Sequence, residues 1–364
     1  MSSDTRVQEQ WHLDLASKPD FDQAMARINA WYVQELIDRP PVRFSRHNAD
    51  YDIVDDASLW PSQQARWYDV EYQVDRYLRQ IEGKIFHGET FPVFWPNLGP
   101  NFFAGLFGSR LEFGDVTSWA DPILVDYAQA IALDWQSEYL QKIDALTRHA
   151  LARCEHRFMV GYTDLHPGID WLAALRGSEP LCLDLFDYPD EIKDILQLST
   201  PNFLAIYDHF DAQLKAHHQL SVSWMAIPSF GRMHIPSCDF ATMISPQQFR
   251  DFVFPALHEE VVAMTHNIFH MDGKGVARHL DAILELPKVQ AIQWVQGVGT
   301  DQPILQWIPL IQRIQAAGRS VVVDLTLAEL EPLISAVKPE GIFLCLPSEG
   351  EEQELAILQR VAKW

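Results

Sequence analysis

The sequence has little cysteine, and its cysteines follow no pattern. Only four occur in 364 residues, at positions 154, 182, 238 and 345, without a CxxC pair. Small secreted domains instead depend on dense, regularly spaced cysteines that form disulfides. A disulfide framework is therefore not expected, and a reducing compartment such as the cytoplasm is.

Positive charge is also scarce, and long apolar runs are missing. The chain has 28 lysines and arginines against 50 acidic residues, a formal net charge of −22. Such a surface repels phosphate backbones, so we expect no nucleic-acid partner. No stretch approaches the ~20 apolar residues of a membrane helix, and the first residues lack a basic and apolar leader. We therefore expect a cytoplasmic protein that does not bind membranes.

Apolar residues are plentiful, at 48% of the chain, and they fall into short runs. Eight runs read as strand candidates that alternate with helical patterns, at 42–47, 91–95, 158–162, 221–226, 267–272, 291–295, 320–324 and 341–345. Eight strands alternating with helices predict an α/β fold, specifically a (β/α)₈ TIM barrel. A doubly wound open sheet is the alternative, but nothing like GxGxxG opens its first crossover.

The chain is expected to form one barrel domain with a helical extension in front of it. Residues 21–31 place apolar side chains at helical spacing, and Pro40 and Pro41 end the pattern. No linker rich in Gly, Pro or Ser follows. The predicted division is therefore an extension over 1–40 and the barrel over 41–364. A long helix is also predicted over 121–154.

Polar residues cluster where the predicted strands end, which is where barrel enzymes build their sites. The strongest pair is His270 and Asp272, which share one strand face just before Gly273. Other strand-end candidates are His47, Asn48, Asn97, Asp164, His166, Trp294, Gln296, Asp324 and Cys345. Arg232, His234, Cys238 and Asp239 lie on a loop predicted to follow the fourth strand.

Two metal groupings can be formed from these residues. A catalytic metal needs three protein ligands and an open position. His270, Asp272 and Cys345 supply one such set, from the fifth and eighth strands. His234, Cys238 and Asp239 supply the other, from a single loop. A metal-free acid–base site with His270 remains open beside both.

Several motifs resemble the uroporphyrinogen decarboxylase superfamily. They are His270-Met-Asp-Gly273 with Ala291-Ile-Gln-Trp-Val295, and Asp239-Phe-Ala-Thr-Met-Ile-Ser-Pro246 with Phe249-Arg-Asp-Phe-Val-Phe-Pro255. The resemblance is best over 157–364 and implies the same barrel fold. Genuine decarboxylases carry an arginine-rich signature near the amino terminus, which here is reduced to Arg43 and Arg46. The chain is thus more similar to the branch that contains zinc-dependent, corrinoid-linked methyltransferases.

The resemblance also implies a chemistry. In that branch a His-x-Cys pair and a late cysteine hold zinc; His270 matches the histidine, Asp272 replaces the first cysteine, and Cys345 matches the second. The implied reaction moves a methyl group from a methyl-corrinoid on a separate protein to a metal-activated nucleophile of a small-molecule substrate. The habit of the family implies a homodimer.

The resulting predictions for single residues are as follows. The catalytic residues are His270, Asp272 and Asp164, and the zinc ligands are His270, Asp272 and Cys345. Substrate contacts are assigned to Trp95, Asn97, His166, Arg232, Trp294 and Asp324. Two alternatives remain: a metal-free lyase or hydrolase that uses His270 with Asp164, Asp272 and Asp324, and a non-catalytic barrel that binds a tetrapyrrole or a partner protein.

Overall fold

A computed structural model describes residues 9–46 and 57–364 and shows a mixed α/β architecture. The strands are β1 Val42–Arg46, β2 Val93–Phe94, β3 Leu111–Phe113, β4 Ser118–Ala120, β5 Met159–Val160, β6 Met233–His234, β7 His266–Asp272, β8 Ala291–Val295, β9 Ser320–Asp324 and β10 Ile342–Ser348. The α-helices are α1 Phe21–Tyr32, α2 Gln63–Tyr68, α3 Val70–Ile81, α4 Phe102–Gly105, α5 Glu138–Arg153, α6 Gly168–Arg176, α7 Ser178–Asp187, α8 Pro189–Leu196, α9 Ser199–Ala216, α10 Pro246–Gln248, α11 Phe254–Val262, α12 Gly273–Ala277, α13 Leu280–Glu285, α14 Ile308–Ala316, α15 Leu330–Ile334 and α16 Glu351–Val361. Short 3₁₀ helices span Ala57–Leu59, Asp239–Met243, Gly299–Asp301, Ile304–Trp307 and Leu327–Glu329, and a π-helix spans Phe249–Val253.

The main sheet is a curled, six-stranded parallel sheet in the order β1-β10-β9-β8-β7-β6. A separate parallel pair joins β2 to β5, and an antiparallel hairpin joins β3 to β4. The α/β class and a TIM-like arrangement agree with the prediction. The ladder does not close into an eight-stranded barrel within the described parts of the chain.

The segment before β2 bonds to the edge of β1 that β10 leaves open. Glu89 is fully buried, its backbone amide donates to Val42 O at 2.7 Å, and its carboxylate accepts from Val42 N at 2.7 Å. Arg39 and Arg27 bind the same carboxylate. A buried carboxylate needs such partners, because an unpaired one would be strongly destabilising. Glu89 therefore satisfies the backbone of β1 where no neighbouring strand does.

The second half of the sheet follows the sequence closely. The runs predicted over 291–295 and 320–324 coincide with β8 and β9. Val321, Val322 and Val323 are fully buried. Parallel strands covered on both faces require such continuous apolar runs, which is why these two strands could be read from the sequence.

The predicted fourth strand, over 221–226, is wrong. There Ser221 forms only an isolated bridge with Ser229, and Ala226 has a φ of 52°, which ends extended structure. The place beside β7 is taken by β6, whose Met233 pairs with His266. The segment predicted to be a loop is thus the strand, because pairing with β7 outweighs the local apolar pattern.

Two further elements differ from the sequence reading. The helix predicted from 121 begins only at Glu138, where the Ser137 hydroxyl accepts a hydrogen bond from Tyr139 N as an N-cap. The hairpin of β3 and β4 was not predicted. Its signal was present in Gly114-Asp115, a turn sequence that follows the alternating Leu111 and Phe113.

Helix α1 covers the amino-terminal end of the main sheet and confirms the helix predicted over 21–31. Trp31 Nε1 donates to Gly341 O at 3.2 Å, and Ser320 Oγ donates to Trp31 O at 2.6 Å. The ring of Tyr32 stacks on His266, with centroids 4.0 Å apart. These partners begin β7, β9 and β10 or precede them. At the opposite ends of β7 and β9, Asp272 and Asp324 are exposed, and the carboxyl ends of the strands are here called the uncovered side. Over residues 9–46 and 57–364, no helix is long and apolar enough to span a membrane.

Candidate functional site

The site is built around the carboxyl end of β7. His270 pairs in register with Gln293 of β8, and its Nδ1 lies 2.7 Å from Gln293 Oε1. An amide oxygen only accepts, so Nδ1 carries the hydrogen and Nε2 keeps its lone pair. Metal-binding histidines are commonly oriented by such a second hydrogen bond. His270 is therefore prepared to act as a ligand through Nε2.

Asp239 joins His270 and Asp272 to form a group of three, here called the β7 group. Ser237 forms a parallel bridge with His270, so Asp239, two residues later, comes to lie near Asp272. One ligand atom from each of Asp239, His270 and Asp272 lies within 4.8 Å of the other two. Both carboxylates are exposed and the imidazole is partly buried. Two carboxylates and one imidazole nitrogen can bind a divalent cation and leave positions for a substrate.

Asp170 of α6 fixes the position of Asp239. Its carboxylate accepts hydrogen bonds from Asp239 N and Phe240 N, both at 2.9 Å. Burial and then the nearby charge of Asp239 raise the pKa of Asp170 to about 6, although the two amide bonds oppose this shift. The Asp170 carboxylate thus caps the amino terminus of the 3₁₀ helix, whose first residue is Asp239.

Helix α12, which follows Asp272, holds the other end of this 3₁₀ helix. A Cβ on Gly275 would lie 2.9 Å from Cγ2 of Thr242, so the close approach depends on glycine. His279 Nε2 donates to Ala241 O at 2.9 Å. The two carboxylates of the β7 group are therefore carried by elements that pack directly on each other.

A second set of hydrogen bonds runs beside the β7 group. His166 Nε2 lies 2.7 Å from Asp164 Oδ2, and its Nδ1 lies 2.8 Å from Ser237 Oγ. Burial lowers the pKa of His166, but Asp164, Asp170 and Asp239 outweigh it and raise the pKa to about 9. Asp164 and His166, predicted at a strand end, thus meet the β7 group through Ser237.

A pocket of about 410 Å³ opens beside these residues. Three of its polar lining residues are His166, Asp170 and Asp239. Its large apolar lining residues are Trp119, Trp171, Phe240 and Met243. Trp119 comes from the hairpin that sequence reasoning missed. The pocket can hold a small, partly aromatic or apolar molecule next to the polar groups.

Cys345 does not lie with His270 and Asp272, so the predicted zinc ligand set does not form in the described residues. It pairs in register with Asp324 and with Arg43, three strands away from β7. At ~4.8 Å per strand, this is ~14 Å along the sheet. Burial raises the pKa of Cys345 to about 12, although Arg43 partly offsets this effect. Arg43, Asp324 and Cys345 make a separate set, here called the β10 group.

Two residues predicted to contact substrate lie away from the β7 group. Trp294 is fully buried and follows Gln293, so it points to the opposite face of β8, where its ring contacts Trp307 at 4.8 Å. Arg232 precedes β6 at the amino-terminal end of the strands and pairs with Asp208 at 2.6 Å. Their positions do not support a role in this site.

The loop cluster predicted from His234, Cys238 and Asp239 is also not formed. His234 lies on β6, where its Nε2 is 2.7 Å from Glu260 Oε1 and both side chains are buried. Cys238 is buried as well. Asp239 alone reaches the uncovered side. Each of the two predicted metal groupings therefore contributed part of the β7 group.

The remaining candidates line other pockets. Trp95 and Asn97 line one of about 650 Å³, and Asn97 Oδ1 accepts from Gly99 N at 2.6 Å within its loop. Asp324 and Cys345 line another of about 550 Å³ together with Gln296. His47 and Asn48 fall outside the described residues.

Sequence reasoning missed Ser237, Asp170 and Gln293. Gln293 did carry a signal, because it is a single amide inside the apolar run of β8 and a buried strand tolerates one only with a partner. Asp170 and Ser237 carried none, since their roles depend on residues far away in the chain.

No protein-family model and no curated protein matches this chain. Among solved structures, its fold is similar to that of a methyltransferase from Methanosarcina mazei, with a TM-score of 0.59 and 11% sequence identity. The match covers 93% of this chain and 98% of that one. At this identity the similarity establishes a shared fold along almost the whole length.

Proposed function

We propose that this protein is a metal-dependent methyltransferase whose metal is held by Asp239, His270 and Asp272. The observation that carries the proposal is the convergence of these three side chains within 4.8 Å at the uncovered strand ends. The fold shared with a methyltransferase supports the reaction class.

The donor set fits zinc or a similar divalent cation. Two carboxylates and one oriented imidazole provide three ligands, and zinc accepts both ligand types. A bound divalent cation would lower the pKa of an acceptor group and so supply a nucleophile at neutral pH. No thiolate takes part, so these ligands are harder than the set implied by the family resemblance. A harder ligand set also favours manganese or iron.

The protein's own residues prepare the site for this reaction. Gln293 fixes the ring of His270, and Asp170 holds the segment of Asp239. The aromatic pocket beside Asp239 holds the apolar part of the acceptor. We further propose that the methyl group comes from a methyl-corrinoid on a separate protein, which would approach the uncovered strand ends.

Metal analysis of the purified protein tests the ligand assignment. We expect about one divalent metal ion per chain by mass spectrometry, lost in His270→Ala and Asp239→Asn. Cys345→Ala is the matched control and should keep the metal. A folded protein without metal would contradict the assignment and favour the metal-free lyase or hydrolase. Loss of metal in Cys345→Ala alone would also contradict it and would place the metal at Cys345 instead.

Methyl transfer itself can be tested with free methylcobalamin as the donor and 2-mercaptoethanol as the acceptor. A new carbon–sulfur bond forms while the carbon–cobalt bond breaks, both electrons stay on cobalt, and the thiol proton leaves to the buffer. We expect loss of methylcobalamin absorbance and appearance of the methyl thioether, both absent in His270→Ala. A metal-loaded protein that transfers no methyl group to this or other small nucleophiles would reject the reaction but keep the metal site.

A further inference from the structure

The hydrogen bonds of Asp164, His166 and Ser237 have the connectivity of a serine hydrolase triad. Asp164 Oδ2 contacts one ring nitrogen of His166 at 2.7 Å, and Ser237 Oγ contacts the other at 2.8 Å. Such a triad is recognised by geometry and roles rather than by sequence position. The two ring nitrogens have exchanged partners relative to the usual arrangement, which leaves the line from carboxylate to hydroxyl intact.

His209 and His266 each have a partner of one of these kinds. His209 Nε2 contacts the carboxylate of Asp144 at 2.8 Å and the amide nitrogen of Gln213 at 3.1 Å. His266 contacts the hydroxyl of Ser229 at 2.7 Å, and both residues are buried. In His166 the carboxylate and the hydroxyl occur together, next to a pocket and at the uncovered strand ends.

We propose that Ser237 is a nucleophile that His166 activates, while Asp164 orients His166. This site would hydrolyse esters that carry an aromatic or apolar group. The proposed methyl transfer uses the same pocket but neither Ser237 nor His166, so the failure of one proposal can be told from the failure of the other. The pocket of about 410 Å³ reaches His166 and offers Trp119, Trp171 and Phe240 to such a group.

The step balances with residues that are present and with water. Ser237 Oγ forms a bond to the carbonyl carbon while its proton passes to His166 Nδ1. The alcohol then leaves with that proton as its carbon–oxygen bond breaks. Water repeats the sequence on the acyl-enzyme, which releases the acid and restores Ser237.

The reaction should be faster in alkaline solution. Asp164 on the same segment, Asp170 on α6 and Asp239 on the 3₁₀ helix face His166 and favour its protonated form, which cannot accept the serine proton. With a pKa of about 9, only a small fraction of the His166 rings is neutral at pH 7 and able to act as a base. A rate that rises between pH 7 and pH 9.5 is therefore expected.

Covalent labelling of the full-length protein with a fluorophosphonate probe tests the proposal. In this reaction Ser237 Oγ bonds to phosphorus and fluoride leaves. We expect one adduct by intact mass, located on Ser237 by peptide mapping and absent in Ser237→Ala. His166→Gln keeps the serine and should slow labelling by ~100-fold or more. Ser335→Ala is the matched control, because Ser335 is exposed just after α15, outside the pocket, and its hydroxyl donates to Glu331 O; its labelling should match the wild type.

The outcomes separate clearly. No adduct at pH 9.5, an adduct on another residue, or an unchanged rate in His166→Gln would each overturn the proposal. Circular dichroism checks that the variants fold. If Ser237→Ala does not fold, Asp164→Asn is used as a second variant that keeps the serine and should label more slowly. Since labelling is measured in metal-free buffer containing a chelator, its result does not depend on whether the β7 group binds metal.

Discussion

The β7 group and the β10 group lie on the same edge of one sheet, but they differ in how their negative charge is balanced. Asp239, His270 and Asp272 bring two carboxylates together on exposed positions, with an imidazole turned toward them. In the β10 group, Arg43 lies in register beside Cys345 and offsets the charge of Asp324. The second set is neutralised by its own arginine, whereas the first gains most from a bound cation.

This difference shows why proximity of ligand-type residues along a sheet edge is insufficient to make a metal site. Cys345 is a good zinc ligand by type, yet burial raises the pKa of its thiol to about 12. Metal binding requires the thiolate, so this cysteine is a poor ligand in its position. Asp239 is a weaker ligand by type but lies in the right place.

The largest expected effect is on zinc affinity, when one carboxylate is removed from the β7 group; the matching change in the β10 group is its control. Asp239→Asn should weaken zinc binding by more than roughly 100-fold, because it removes a direct ligand, and losing an outer-shell partner alone commonly costs 10–100-fold. Asp324→Asn should change it less than about twofold, since it lies outside the β7 group. Isothermal titration calorimetry of both variants measures this contrast, and equal losses would remove the distinction between the groups.

The main pH effect on stability between pH 6.5 and pH 9 should come from the β7 side. The pKa of His166 is raised from 6.5 to about 9 in the folded protein. The stabilisation is therefore fully present below pH ~6.5 and is lost as the pH rises through ~9; it amounts to about 3 kcal/mol. Urea denaturation with a chelator at pH 6.5 and 9.5 should show this loss in the wild type. His166→Gln should keep only a smaller loss, which comes from the buried thiols of Cys345 and Cys238, because burial raises the pKa of both. The surface variant His12→Gln should behave like the wild type.

Loss of the hydrogen bond that orients His270 should have a smaller effect on metal affinity. Gln293→Ala leaves the ring free to rotate, and we expect zinc binding to weaken about 10–100-fold. Gln293→Glu keeps an oxygen acceptor and should recover most of the affinity. If both variants bind zinc as tightly as the wild type, the His270 ring is held by another contact, such as its edge contact with Trp224 at 5.3 Å.

The smallest effect is expected for Cys345→Ala. Removing one buried sulfur should lower the free energy of unfolding by about 1 kcal/mol through lost packing. Zinc affinity should remain within about twofold. A large loss of stability without loss of metal would show that the contacts to Arg43 and Asp324 matter more than packing does.

Some parts of this molecule could be predicted because they depend on local pattern. The apolar runs of β8 and β9 and the helical spacing of α1 reappeared almost residue for residue. The strand predicted over 221–226 is not present, because β6 takes the place beside β7 and Ser221 forms only an isolated bridge with Ser229. The position of His270 and Asp272 on one face of β7 followed from the two-residue period of a strand.

The amino-acid sequence by itself determined the α/β class, the positions of the regular strands and the presence of an imidazole and a carboxylate at the end of β7. The tertiary structure alone decided which third residue joins them. Strand register places Ser237 beside His270, and the packing of α12 on the 3₁₀ helix brings Asp239 near Asp272. The same register keeps Cys345 three strands away. Such choices are set by distances between segments far apart in the chain, which no local pattern records.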